Sequence, residues 1–288
     1  MAADHGQLRS GDDRRAASRQ RGGRVDEPAR VHGQPPAGGV PRAGVRAIGR
    51  HQPHLGRRPA ELERERRFRS LPLRITFDLT RIYLIRHADV ENPHRLLYGH
   101  LDGFHLSAIG RTQAGALGDR LRSAGIQRIV HSPLARAVET AKLINDRLAA
   151  PAMLEADLEL REAEFSRYLQ GLPYWQVPLR RPLWFVHKAK RGLLPGDEPI
   201  EQLGGRVLAV ARRLAREHAG EPMAIVSHAD PLNAARILLE GRPHNEREMY
   251  RRGVEKAGML QLDMDGETPV AWEYIAPPEV GKPASAAA

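Results

Sequence analysis

The sequence contains no cysteine in its 288 residues, which excludes disulfide bonds, thiolate metal sites and a cysteine nucleophile. It also lacks any apolar run near the roughly 20 residues that a membrane-spanning helix needs. No apolar signal-peptide core follows the N-terminus. The absence of cysteine fits a reducing compartment, and neither a membrane-spanning segment nor a signal peptide is evident. We therefore expect a soluble, cytoplasmic protein without a membrane partner.

Negative charge is scarce at the beginning of the chain. Residues 1–80 carry 17 Arg, no Lys and 9 Asp or Glu, a net charge of +8, while the remaining 208 residues carry 28 basic and 26 acidic residues, a net charge of +2. The strongly basic character therefore belongs mainly to the N-terminal segment. It says little about what the rest of the chain binds.

Residues 1–74 are rich in Arg, Gly, Pro and Ala, and apolar periodicity is absent until residues 61–69. Such a segment cannot bury enough surface to offset its ordering entropy, so we predict a disordered leader. Three interpretations compete: a basic tail that binds nucleic acid, a transit peptide, and a translation start nearer residue 75. Acidic residues argue against the transit peptide, namely Asp4, Asp12, Asp13, Asp26 and Glu27. We favour the third interpretation and do not expect a nucleic-acid partner.

From residue 81 onward, short apolar runs alternate with stretches of helical periodicity. The pattern predicts strands at 82–85, 127–131, 223–227, 259–264 and 270–275 and helices at 107–124, 134–149, 199–218 and 231–239. Residues 165–196 receive no assignment. Alternating strands and helices predict an α/β fold, a three-layer α/β/α sandwich with a mostly parallel central sheet. We place it in one domain over residues 75–276, followed by a flexible tail at 277–288.

Four cationic or imidazole side chains lie at or just after the ends of predicted strands: Arg86, His87, Arg136 and His228. Ligands of open α/β sheets bind outside the carboxyl ends of the strands, so these distant residues are expected to converge. Two guanidinium forks suit the oxygens of a phosphoryl group, and an imidazole can act as a nucleophile near neutral pH. The pattern predicts a phosphate-binding pocket with a nucleophilic histidine.

The segments around these residues resemble the histidine phosphatase superfamily, the phosphoglycerate mutase-like proteins. Arg86-His87-Ala88 resembles its Arg-His-Gly signature, with Ala88 in place of glycine. Further segments match in order, namely the Leu-Ser-x-x-Gly-x-x-Gln-Ala stretch within residues 98–114, the Ser-Pro-Leu-x-Arg-Ala motif at 132–137, Leu160-Arg161-Glu162, Gly196-Asp197-Glu198 and Val226-Ser227-His228-Ala229. The match covers about residues 81–240 and implies the phosphoglycerate mutase-like fold.

The resemblance implies a role for each site residue. His87 would attack phosphorus to form a phosphohistidine, and Glu162 would protonate the leaving group, with Asp230 as the alternative donor. His228 would act with them in catalysis and also bind phosphate. The implied phosphate-binding residues are Arg86, Arg136, Asn92 and His228. Neither a metal nor another cofactor is implied.

Two segments depart from the family pattern. Asn92 lies one residue early for the commonest spacing of the phosphate-binding asparagine, and the stretch 165–171 lacks the usual tryptophan and second glutamate. Separately, one predicted loop contains His94, His100 and His105, but their spacing is not that of a compact metal site. The departures affect the identity of the substrate more than the mechanism.

We therefore predict an enzyme, a metal-independent phosphomonoesterase that acts on a small phosphorylated metabolite through a phosphohistidine. One alternative is phosphoryl transfer of the phosphoglycerate mutase type, which requires the phosphohistidine to survive and return its phosphoryl group. Another is a phosphate-binding module without catalysis. The sequence names neither the substrate nor the oligomeric state.

Overall fold

The computed structural model describes residues 79–280. The predictions for the leader at 1–74 and for most of the tail at 277–288 lie outside the described residues. Within residues 79–280, no helix combines the length and apolar character needed to cross a membrane.

Six strands in the described part of the chain form one sheet with the order β3-β2-β4-β1-β5-β6. Neighbours pair in parallel from β3 to β1, whereas β5 is antiparallel to both β1 and β6, so β5 alone among these strands runs in the opposite direction. The strands are β1 (Thr80–Arg86), β2 (Arg128–His131), β3 (Met153–Ala156), β4 (Met223–Ser227), β5 (Met259–Asp265) and β6 (Thr268–Ile275). The prediction of a mostly parallel sheet is confirmed.

Helices connect the strands, and the described part of the chain contains more of them than the sequence predicted. They are α1 (Ala108–Leu121), α2 (Ala135–Asn145), α3 (Ser166–Leu169), α4 (Val177–Arg180), α5 (Leu183–Ala189), α6 (Ile200–Glu217), α7 (Ala229–Leu239) and α8 (Glu246–Arg251). Two short 3₁₀ helices, at Leu158–Leu160 and Tyr174–Gln176, complete the described elements. The unassigned segment 165–196 thus consists of short helical turns, too brief for periodicity to be recognised.

Alternate residues of the central strands point to opposite faces of the sheet, and each face is covered by a pair of helices. Tyr83 and Ile85 of β1 pack in the cluster that contains α1 and α2, whereas Ile82 and Leu84 pack in the cluster that contains α6 and α7. This is the period-2 alternation of a strand buried on both sides. The predicted three-layer α/β/α sandwich is confirmed.

The position of β4 in the sheet brings together the two most distant parts of the site. β4 lies between β2 and β1 and pairs in parallel with both, and Arg86 at the end of β1 is in register with Ser227 at the end of β4. The backbone N–H of His87 donates to the carbonyl of Ser227 at 3.0 Å. The carboxyl ends of these strands are therefore neighbours, and the residues that follow them share one edge of the sheet.

Outside segment 165–196, one strand and one α-helix were also not predicted. β3 is short, and three of its four residues are exposed at the sheet edge, so it lacks the buried alternation that marks a strand. Helix α8 spans six residues and begins at Asn245, whose side chain accepts from the N–H of Glu248. Both are too short for a strong periodic signal.

The beginning of α1 fixes the loop that follows His87 at the end of β1. Ser107 caps the helix by accepting from the Gly110 N–H at 3.0 Å, and its hydroxyl donates to the Asp89 carboxylate at 2.7 Å. Gln113 accepts from the Asp89 N–H at 3.0 Å. A Cβ on Gly110 would lie 2.0 Å from the Asp89 carbonyl oxygen, so only glycine permits this approach.

We predict that Gly110→Ala lowers the free energy of unfolding by about 2 kcal/mol, since the added methyl group must displace the backbone at Asp89. Gly115→Ala in the same helix is the matched control, because the nearest atom to its Cβ is 3.7 Å away in the Arg147 side chain. We expect that control to be neutral or to stabilise by up to about 1 kcal/mol through helix propensity. Urea unfolding of both variants tests this, and equal effects would contradict it.

Candidate functional site

His87 follows β1 and is buried, with 1% of its surface exposed. Its Nδ1 lies 2.8 Å from the carbonyl oxygen of Ala88. A carbonyl oxygen only accepts, so Nδ1 carries the proton and donates. Nε2 is then left with its lone pair, which is the form that a nucleophilic imidazole requires.

Two arginines accompany His87. Arg136 lies in the first turn of α2 with 1% exposure, donates to the Gly99 carbonyl at 2.8 Å and stacks over the Tyr98 ring at 4.7 Å. Arg86 donates to the Val254 carbonyl at 2.8 Å. The buried Nε atoms of both arginines have no hydrogen-bond partner within residues 79–280. Backbone carbonyls therefore hold each guanidinium in place and leave donors available for an anion.

His228 is the residue before α7 and is fully buried beside His87, with 5.1 Å between the two ring centroids. Its Nε2 lies 2.7 Å from the Ser132 hydroxyl, while its buried Nδ1 has no partner among the described residues. This arrangement brings the ends of β1, β2 and β4 together, as predicted.

Burial lowers the pKa of both histidines well below its ordinary value, because an imidazolium loses its hydration there. The positive charge of Arg136 lowers both pKa values further, and Arg86 adds to the effect on His87. In the absence of an anion, both imidazoles are therefore neutral near pH 7. If His228 were protonated, an anion would be needed to compensate its charge.

Glu162 lies in the loop after β3, on the wall of the same cavity as His87. Burial raises the pKa of its carboxyl group to about 7, and the negative charge of Asp230 adds to this, while Arg136 and Arg86 oppose it. The Ala163 N–H donates to its carboxylate at 3.0 Å. Such a carboxyl group exchanges a proton near neutral pH, which suits a general acid.

Asp230, the alternative donor, is held differently. Burial alone would raise the pKa of its carboxyl group, but the charge of Arg191 and its hydrogen bond outweigh burial and lower it. The Arg191 Nη2 donates at 2.7 Å, and the hydroxyl of Tyr250 donates to the other oxygen. Asp230 is therefore ionised at neutral pH, whereas Glu162 is divided between its two forms.

A cavity of about 260 Å³ opens onto Arg86, His87 and Glu162. One part of its wall is apolar or aromatic and includes Leu96, Leu97, Tyr98, Leu169, Tyr174 and Trp184. The other part is charged and includes Lys188, Arg191 and Asp230. Arg136 and His228 are buried beneath, so the cavity has a cationic base and an amphipathic mouth.

Asn92 is not brought into this cavity. Its amide nitrogen donates to the Leu96 carbonyl at 2.8 Å, and its amide oxygen accepts from the Leu96 N–H at 2.9 Å. Both polar atoms thus stabilise the local loop. The position one residue early in the motif is consistent with this local use of the side chain.

The three loop histidines have separate surroundings. Nε2 of His100 donates to the backbone carbonyl of Glu162 at 2.9 Å, and His105 pairs with Glu139, whereas His94 is exposed. Nowhere in residues 79–280 do three or more His, Cys, Asp or Glu side chains form a group that could hold a metal ion. His100 instead fixes the backbone that carries Glu162.

Two parts of the site were missed by sequence reasoning. Ser132 lies in the recognised Ser-Pro-Leu motif but was not assigned a role, and a polar residue directly after a buried strand was the available signal. Arg191 belongs to the unassigned segment and contacts Asp230, Glu246 and Tyr250 with only 2% of its side chain exposed. Nothing in the local sequence signals these contacts, because its partners come from α7 and α8.

Comparison with known proteins agrees with this geometry. The sequence model of the histidine phosphatase superfamily (branch 1) matches residues 82–274. A protein of Mycobacterium tuberculosis, Rv0525, is 33% identical over 204 residues, covering 69% of this chain and 96% of the relative. A protein of Yersinia enterocolitica, named "Probable phosphoglycerate mutase GpmB", is 31% identical over 179 residues, covering 60% and 81%.

The fold is similar to that of mycobacterial glucosyl-3-phosphoglycerate phosphatase Rv2419c. The TM-score is 0.57 at 22% identity, with 70% of this chain and 100% of the other covered. At 22% identity, this similarity shows a shared fold alone.

We predict that Asp230→Asn lowers the pKa of Glu162 below about 7, because it removes the nearby negative charge that raises this pKa. Carboxyl ¹³C NMR of glutamate-labelled protein measures the titration, and Glu162→Gln identifies the signal. Asp265→Asn at the exposed end of β5 is the control and is expected to leave the titration unchanged. An unchanged or raised pKa in Asp230→Asn would contradict the assignment.

Proposed function

Because the chain belongs to the histidine phosphatase superfamily, we propose that it is a metal-independent phosphomonoesterase that works through a phosphohistidine at His87. The observation that carries the proposal is the hydrogen bond from Nδ1 of His87 to the Ala88 carbonyl at 2.8 Å. It supports Nε2 as the free nucleophilic atom, in a pocket whose base contains two guanidinium groups.

In the first step, the lone pair of Nε2 attacks phosphorus in line with the ester oxygen. The N–P bond forms while the P–O bond to the leaving group breaks. Arg86 and Arg136 compensate the charge on the equatorial oxygens, and their permanent charges supply what a metal ion provides in other phosphoryl-transfer sites. His228 donates to the same oxygens through Nδ1 if the Ser132 hydroxyl donates to its Nε2.

Glu162 is the proton donor in this proposal. Its pKa of about 7 leaves a substantial protonated fraction at neutral pH, and the charge of a bound phosphate would increase that fraction. Asp230 is ionised by Arg191 and Tyr250 and has no proton to give. In the second step, the Glu162 carboxylate accepts a proton from water while the water oxygen attacks phosphorus and the P–N bond breaks.

The cavity suggests the kind of substrate. Its volume of about 260 Å³ suits a small phosphomonoester, and the apolar wall at Leu96, Leu97 and Trp184 can accommodate an organic part that is not entirely polar. Mutase-type transfer is the second candidate, favoured by the relative named as a phosphoglycerate mutase. It uses the same first step and differs in the acceptor of the phosphoryl group.

We predict that His87→Ala abolishes phosphate release from an aryl phosphate and from a panel of metabolite phosphomonoesters in the presence of a chelator. Wild-type protein mixed with substrate and quenched in base should carry a phosphoryl group on His87, detected by mass spectrometry. His94→Ala, an exposed histidine outside the cavity, is the matched control and should retain activity. Isomerised phosphoglycerate without phosphate release would favour the mutase alternative. Full activity of His87→Ala would overturn the mechanism.

We further predict that Glu162→Gln discriminates between leaving groups. Hydrolysis of an alkyl phosphate should fall by about 10²–10⁴-fold, because an alkoxide must be protonated as it leaves. Release of a nitrophenolate, which needs no proton, should fall far less. With wild type, kcat/KM for an alkyl phosphate should decline as pH rises through about 7, since the protonated fraction of Glu162 in the free enzyme declines.

Asp230→Asn provides the comparison, because it changes the neighbouring carboxylate without removing the donor. If Asp230→Asn, and not Glu162→Gln, showed the selective loss on alkyl phosphates, the donor assignment would be reversed. Both substitutions replace a carboxylate by an amide of nearly the same size, so the comparison isolates the proton.

A further inference from the structure

Residues 165–196 combine a charge bias with an aromatic bias. The segment contains six Lys or Arg and six aromatic residues in 32 positions, and it contains no Asp or Glu. The aromatics are Phe165, Tyr168, Tyr174, Trp175, Trp184 and Phe185. The rest of residues 81–288 carries 22 basic and 26 acidic residues, so this segment concentrates positive charge next to the mouth of the cavity.

Large apolar side chains are unusually exposed in the same segment. Of the twelve exposed large hydrophobic residues in the described part of the chain, seven lie within residues 174–193. They include Leu179 at 86%, Trp175 at 75% and Phe185 at 57%. Single exposed apolar residues are ordinary, but a cluster of this kind marks an interaction surface.

The short helices of the segment have two distinct faces. Trp184, Lys188 and Arg191 line the catalytic cavity. Trp175, Leu179 and Phe185 do not line this cavity. The exposed side chains therefore do not serve as walls for the substrate and stand out from the surface instead.

Charge limits the possible occupants of this face. Arg180 and Lys190 are exposed beside the apolar side chains, and no carboxylate within residues 79–280 pairs with either of them. In a symmetric dimer, a second copy of the chain would meet this positive surface with its own, and residues 1–80 carry a net charge of +8. Both of these occupants are disfavoured by like-charge repulsion, so the complementary partner is anionic.

We propose that this face, defined by Trp175, Leu179, Phe185, Arg180 and Lys190, docks onto the surface of an anionic lipid bilayer. Protruding Trp, Phe and Leu side chains with adjacent Lys and Arg are the composition of interfacial membrane-binding segments. The apolar side chains enter the headgroup region, and the cations contact anionic headgroups. The proposal favours a bilayer over an acidic protein because Leu179 and Trp175 are 86% and 75% exposed, as insertion among lipid headgroups requires.

Docking by this face would place the mouth of the catalytic cavity beside the bilayer, since the same helices line both. Phosphomonoesters held at a membrane surface would then reach His87 without first dissociating. The proposal concerns binding and does not depend on the phosphatase activity, so each can fail without the other.

Tryptophan quenching by brominated phospholipids tests the proposal on the full chain. Wild-type fluorescence should be quenched by anionic vesicles that carry brominated acyl chains and not by zwitterionic ones. Trp175→Phe retains Trp184 and Trp272 and should lose most of the quenching. This readout separates the face from residues 1–80, whose charge could hold the protein on anionic vesicles without inserting Trp175. Equal quenching of wild type and Trp175→Phe, or none in either, would overturn the proposal.

A second pair of variants measures affinity in a vesicle flotation assay. Leu179→Gln with Phe185→Gln should weaken binding at least about tenfold, because two buried apolar contacts with lipid are lost. Met153→Gln with Leu158→Gln, at 59% and 62% exposure elsewhere on the surface, should leave binding unchanged. Unchanged far-UV circular dichroism and an unchanged urea midpoint show that the variants are folded. Equal affinity in both pairs would contradict docking by this face.

Discussion

The burial of Arg136 is the constraint on which the rest of the site depends. A guanidinium with 1% exposure is stable in a protein interior only if polar groups replace its lost water. The Gly99 carbonyl and the face of Tyr98 do so in part, while the buried Nε of Arg136 has no partner among the described residues. In the proposed function, the two partly satisfied guanidiniums hold the phosphoryl group.

The same buried charge determines the protonation of its neighbours. It acts with burial to keep His87 and His228 neutral, so a nucleophilic lone pair exists at neutral pH without a separate base. It also opposes the rise in the pKa of Glu162, which burial and Asp230 would otherwise carry further. The position of one arginine thus couples the proposed nucleophile to the proposed proton donor, and the parallel pairing of β2 with β4 brings Arg136 to this edge of the sheet.

Much of this arrangement could be predicted from the sequence, and the parts that could not have a common physical cause. Strand ends are marked by local apolar runs, so the convergence of Arg86, His87 and His228 followed from topology. The hydrogen bond that fixes the His87 tautomer, and the pairing of Asp230 with Arg191, depend on distances between elements remote in sequence. For Asn92, the motif predicted phosphate binding, but the side-chain amide instead forms hydrogen bonds with the backbone of Leu96 in its own loop.

Asp230 and Glu162 lie beside one cavity but differ in protonation. The difference depends on contacts made by the helical segment 165–196 and by the helices after β4. Arg191 reaches Asp230 from this segment, and Tyr250 reaches it from α8, so Asp230 remains charged. That fixed negative charge in turn favours the protonated form of Glu162. A segment with no recognisable periodicity thus helps to assign the acid role, although it contributes neither carboxylate. Any movement that separated Arg191 from Asp230 would change the pKa values of both carboxyl groups, and therefore the proton transfer, without touching the nucleophile.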